Sequence, residues 1–131
     1  MPAVHVLKEF VVSMSNRPGA LGESAGALGD AGINMRGFLA TAPGGFPVLR
    51  FVTDDAAKAE AWLKASRLHF KIGEVVAVEG VDRPGEVGRL AKALAAAGVN
   101  VEAGYHAWGP ANEVLIAFAV DDVGRARKAL G

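Results

Sequence analysis

Asn16-Arg17-Pro18-Gly19-Ala20-Leu21-Gly22 returns 66 residues later as Asp82-Arg83-Pro84-Gly85-Glu86-Val87-Gly88, and Gly32-Ile33-Asn34-Met35 returns at the same offset as Gly98-Val99-Asn100-Val101. Two separate motifs sharing one period mark a duplicated structural unit rather than chance Pro-Gly turns. A polar-Arg-Pro-Gly turn leading into a helix also exposes backbone N–H groups. The duplication therefore provides two related places for a small anionic or zwitterionic ligand.

Upstream of the first turn, Val4, Val6, Phe10, Val12 and Met14 share one phase of a strand, interrupted by Lys8, with His5, Glu9 and Ser13 on the wetter face. Phe70, Ile72, Val76 and Val78 repeat that phase, with Glu74 in the place of Lys8. Downstream, Leu21, Ala25 and Leu28, and in the second copy Val87, Ala91 and Leu94, fall at helical spacing. Pro18 suits a first helical position, and Gly32 and Gly98 suit left-handed helix ends. Gly22, Gly26 and Gly29 make the first helix intrinsically weak, which predicts a tight packing face along it. Ile33 to Ala40 and Val48 to Thr53 read as strands joined through Pro43-Gly44-Gly45; Val99 to Ala107 and Val114 to Val120 repeat them around Gly109-Pro110-Ala111-Asn112. Asp54-Asp55 and Asp121-Asp122 open the last helix of each copy, where carboxylates satisfy free N–H groups. Those helices carry Ala59, Trp62 and Leu63, and Val123, Ala126 and Leu130.

Each copy thus runs β-α-β-β-α, and the long strand near Phe70 to Gly80 supplies a fourth strand to the first. The expected fold class is α+β: two ferredoxin-like βαββαβ units with antiparallel sheets covered by helices, residues 1–68 and 69–131. The second copy ends without a closing strand, which leaves an edge that invites pairing. The register of the repeat points to Val4 to Lys8 as that strand, so that the units exchange their first and fourth strands.

Composition narrows the function. Fourteen basic side chains balance fourteen acidic ones, without a Lys/Arg run or interleaved basic and aromatic residues, which argues against nucleic-acid binding. The absence of cysteine removes disulfides, thiolate nucleophiles and iron–sulfur clusters. His5, His69 and His106 lack metal-ligand spacing, so no metal or cofactor is expected. Neither a leader nor a membrane-crossing apolar stretch is evident, which makes a cytoplasmic protein the expectation. Hydrophobic residues make up 51% of 131, and units this small gain from packing on a further chain, so a homodimer or higher oligomer is expected.

The order of apolar strand, Asn/Asp-Arg-Pro-Gly, amphipathic helix, Gly-Ile/Val-Asn, hairpin and Asp-Asp helix resembles the ACT domain, a regulatory module of amino-acid metabolism, over essentially the whole chain and twice. The resemblance implies a free-standing sensor without catalytic activity, one that binds an amino acid where units meet and acts on a metabolic enzyme or another regulated protein. Branched-chain and aromatic amino acids are the first candidates by that analogy. It further implies ligand contacts from Asn16, Arg17, Gly19, Ala20, Leu21 and Asn34 in one copy, and from Asp82, Arg83, Gly85, Glu86, Val87 and Asn100 in the other. Asp82 and Glu86 repel a ligand carboxylate, so the Asn16 turn is expected to be the better anion acceptor.

Blander readings stand beside these. Each turn is either a ligand site or a helix cap made by Asn16 or Asp82. Asn34 and Asn100 either touch ligand or satisfy backbone at strand starts. Trp62 reads as core, and Tyr105, His106 and Trp108 as a pocket wall or an aromatic face packed on a helix. Two other functions fit the fold class: an acylphosphatase-like hydrolase using Arg17 and Asn34, and an association scaffold that binds nothing.

Overall fold

Alternating apolar residues, Gly-led turns and Asp caps divide the chain into six strands and four helices, which the computed structural model describes over residues 3–131. They are β1 (Val4–Ser13), α1 (Ala20–Asp30), β2 (Met35–Thr41), β3 (Val48–Thr53), α2 (Ala56–Ala65), β4 (Phe70–Glu79), α3 (Glu86–Ala96), β5 (Val101–Trp108), β6 (Val114–Val120) and α4 (Val123–Leu130). The strands after α1 and α3 begin two residues later than their hydrophobic runs, because Ile33 and Val99 still belong to the helix ends: their amides donate to the carbonyls of Leu28 and Leu94 at 2.9 Å. Gly32 and Gly98 make that ending possible with φ of 77° and 73°.

Two compact units result: Lys8–Gly73, and Glu74–Gly131 together with the chain up to Leu7. In the first, β3 lies between β1 and β2, antiparallel to both. Phe10 faces Phe51 across β1 and β3 with ring centroids 5.4 Å apart, and Leu28, Ile33, Ala59 and Leu63 close the core over them. Trp62 packs at the edge of that core, as expected. In the second unit, β6 lies between β4 and β5, again antiparallel. Val76, Val78, Ile116 and Phe118 meet Leu90, Leu94, Ala126 and Leu130 from the two helices. Even the irregularity repeats, since pairing slips between Met35 and Gly37 and between Val101 and Ala103.

The first strand divides between these units. Val4 packs against the second core, and the Glu79 amide donates to the Ala3 carbonyl at 3.2 Å. Phe70, at the start of β4, packs against the first core.

Four expectations are corrected. Pro18 is not in the helix: α1 starts at Ala20, and Gly19 precedes it in the left-handed conformation. Glu9, assigned to the wet face, is only 3% exposed, and its Oε1 accepts from Arg50 Nη1 at 2.9 Å on the neighbouring strand. Leu21 and Val87 head their helical stripes, yet they are 40% and 52% exposed, because the first turn of each helix overhangs a cavity rather than the core. Gly22, Gly26 and Gly29 form no tight face within the chain: a Cβ added at any of them would meet nothing within 4 Å.

Candidate functional site

The two Pro-Gly turns adopt one geometry. Gly19 has φ 89° and ψ −10°, Gly85 φ 89° and ψ −5°, a region that favours glycine because a side chain there crowds the following carbonyl. Neither α1 nor α3 carries a side-chain cap, so Asn16 and Asp82 are not the helix caps that their types suggested. The caps fall instead on the last helix of each copy, where Asp55 accepts from the Lys58 amide at 3.0 Å and Asp122 from the Arg125 amide at 2.9 Å. The uncapped helix starts carry the positive end of the helix dipole, and each opens on a cavity.

In the Lys8–Gly73 unit that cavity holds about 410 Å³ and is lined by Ser15, Asn16, Arg17, Ala20 and Leu21 from the turn, with Met14, Pro18, Thr41, Ala42 and Pro47 around them. Arg17 pairs with Glu23, one helical turn in; their hydrogen bond and mutual charge hold the Glu23 carboxyl below its usual range and the Arg17 guanidinium above its own. In the other unit the cavity holds about 370 Å³, with Asp82, Arg83, Glu86 and Val87 from the turn and walls from Gly80, Val81, His106, Trp108, Val114 and Ile116. Glu86 is 4% exposed. Hydrogen bonds from Arg89 and then from the Val81 amide outweigh the effect of burial and bring its carboxyl down to about 2.

Of the twelve residues singled out from the sequence, eight line the two cavities: Asn16, Arg17, Ala20 and Leu21 in one, and Asp82, Arg83, Glu86 and Val87 in the other. Gly19 and Gly85 do not line the cavities and set the backbone of the turns through their left-handed conformation. Asn34 and Asn100 are not brought to the turns of their own units, because each follows the far end of an eleven-residue helix, about 16 Å from its start. The Asn100 backbone instead exchanges bonds with Asp121, its amide donating to Asp121 Oδ1 at 2.9 Å and its carbonyl accepting the Asp121 amide at 3.2 Å. The same separation keeps Arg17 and Asn34 from forming one acylphosphatase-like cradle within the unit.

Sequence reading offered His106 and Trp108 as a pocket wall and missed the matching wall of the first cavity. Thr41 ends β2 and Ala42 follows it, His106 and Trp108 lie at the end of β5, and both strand ends return to the helix-opening turn. Tyr105 faces the other way and is buried, so the aromatic cluster splits into one core residue and two wall residues. Trp108 stands 66 residues after Ala42, a correspondence visible in the sequence once the repeat is written out.

No family model matches the chain, and no curated protein does. Solved structures share the fold. A protein from Bacteroides thetaiotaomicron superposes with a TM-score of 0.80 at 24% identity, covering 97% of this chain and 88% of that one. The regulatory subunit of aspartate kinase from Thermus thermophilus, in its ligand-free form, superposes with a TM-score of 0.67 at 19% identity over 98% and 93% of the two chains. Its counterpart from Thermus flavus gives 0.61 at 18% identity over 98% and 94%.

Proposed function

We propose that this chain is a tandem ACT protein, one ferredoxin-like unit per repeat (residues 1–68 and 69–131) with β1 and β4 exchanged, and that it senses an amino acid on behalf of a separate regulated protein. The observation that carries the reading is the uncapped, glycine-led start of α1 opening on the cavity of Asn16, Arg17 and Leu21. A carboxylate there accepts from helix amides, and Asn16 offers an amide that both donates and accepts, suited to a zwitterion. The leucine side chain and the neighbouring Met14 and Pro47 provide apolar contact for a ligand side chain. The fold shared with aspartate kinase regulatory subunits supports a regulatory role, and the placement of Val4 and Phe70 supports the exchange.

Thermal denaturation in the presence of each of the twenty amino acids tests the reading, since binding to the folded state alone raises the melting temperature. A small subset is expected to stabilise, with calorimetric titration of the best one giving a dissociation constant in the micromolar to millimolar range, about −8 to −4 kcal/mol. Indifference to the whole panel leaves the association scaffold as the better account.

A further inference from the structure

The cavities occupy matching places in the two repeats but differ in chemistry, and the difference that places a carboxylate at the helix start is residue 20, Ala, against residue 86, Glu. The Glu86 carboxylate is fully engaged. Oε2 accepts from the Val81 amide at 2.9 Å and from Arg89 Nη2 at 3.1 Å, while Oε1 accepts from Arg89 Nε at 2.8 Å and lies 3.7 Å from Arg83 Nη2. A main-chain amide beside a helix start and a two-pronged guanidinium are the partners that a free carboxylate would take at such a turn. In the first repeat this set is wired differently. Ala20 contributes a methyl group, and the position matching Arg89 is Glu23, which draws Arg17 to itself.

We propose that Glu86 is a tethered substitute for a ligand carboxylate, closing the second turn to anionic ligands and confining carboxylate recognition to the first, one site per chain. A carboxylate arriving from solution would have to displace one that is attached to the helix and already seated, and the attached one competes at the high effective concentration of an intramolecular group. Both together in so enclosed a place would repel. The stoichiometry rests on the sensor reading of the first turn; the role of Glu86 does not.

Replacing Glu86 with alanine copies Ala20 of the first repeat, keeps Arg89, and removes a fragment equivalent to acetate. Acetate is therefore the probe, added at constant ionic strength with acetamide as the uncharged control. The melting temperature of Glu86→Ala is expected to rise saturably with acetate and not with acetamide, and that of the unaltered protein to rise much less. Equal responses of the two proteins, or no acetate response in the variant, would overturn the proposal. Should Glu86→Ala fail to fold in chloride, folding in acetate supports the assignment and failure in both salts defeats it. Titration with the amino acid that stabilises the unaltered protein separates the two readings. One equivalent per chain, rising to two in Glu86→Ala, is expected. Two equivalents in the unaltered protein contradict the plug, whereas none, with acetate rescue intact, removes the sensor and leaves the plug standing.

Discussion

Gly19 and Gly85, 66 positions apart, hold the same left-handed backbone, φ 89° in each, at the entrance to α1 and α3. Space does not impose glycine here, since a Cβ at either would meet nothing within 4 Å; backbone conformation does. Gly19→Ala and Gly85→Ala are each expected to lower unfolding stability by about 1–2 kcal/mol, measured by urea denaturation, despite the open surroundings.

The same exchange within α1 should have the opposite sign. Gly26 is exposed and helical, and the space around its Cβ position is open. Gly26→Ala is expected to raise stability by about 0.5–1 kcal/mol. A loss instead of a gain would show that α1 lies against another molecule, and the elution volumes of the variant and parent in size-exclusion chromatography would then differ.

Acid should weaken the fold through two depressed carboxyls. Glu86, held by Arg89 and the Val81 amide, and Glu60, held by Lys64 and Lys8, both sit at about 2 against an ordinary value of 4.5. A carboxyl with a lowered folded-state pKa contributes stability that is complete above its unfolded value and is lost as protons bind. Melting temperature is thus expected to fall between pH 4.5 and 2, and less steeply in Glu86→Gln and in Glu60→Gln. Parallel acid limbs for parent and variants would contradict this.

The helix caps and the Glu9–Arg50 pair invite a contrast in magnitude. Asp55→Ala and Asp122→Ala each remove an exposed cap worth about 1 kcal/mol. Arg50→Ala takes the guanidinium from a carboxylate that is almost entirely buried, and a larger cost of about 2 kcal/mol is expected. Chemical denaturation of the three variants in one buffer ranks them.

Much of this architecture can be read from one strand of reasoning, the 66-residue period. It carries the element order, the Gly32 and Gly98 helix ends and, one residue out of step at an offset of 67, the Asp55 and Asp122 caps, because each depends on neighbours within a few residues. Glu9 could not be placed that way. Its partner Arg50 lies 41 residues off, on a strand whose register decides whether the two meet. The site divides along the same line: the turn residues are local and legible, whereas Thr41, His106 and Trp108 reach it only because antiparallel strands return to the end where the helix began. Leu21 and Val87 fit the helical stripe by spacing, and only three-dimensional curvature takes the first turn beyond the core.

The split of β1 also bears on synthesis. Lys8–Gly73 includes every residue of its own core and can consolidate while the remainder is still being translated. The segment Val4–Leu7 is translated before that unit, but the core that Val4 packs against, from Val76 to Leu130, is translated after it. Val4–Leu7 thus waits through the synthesis of a whole intervening unit, and that delayed closure is the step a chaperone would have to guard.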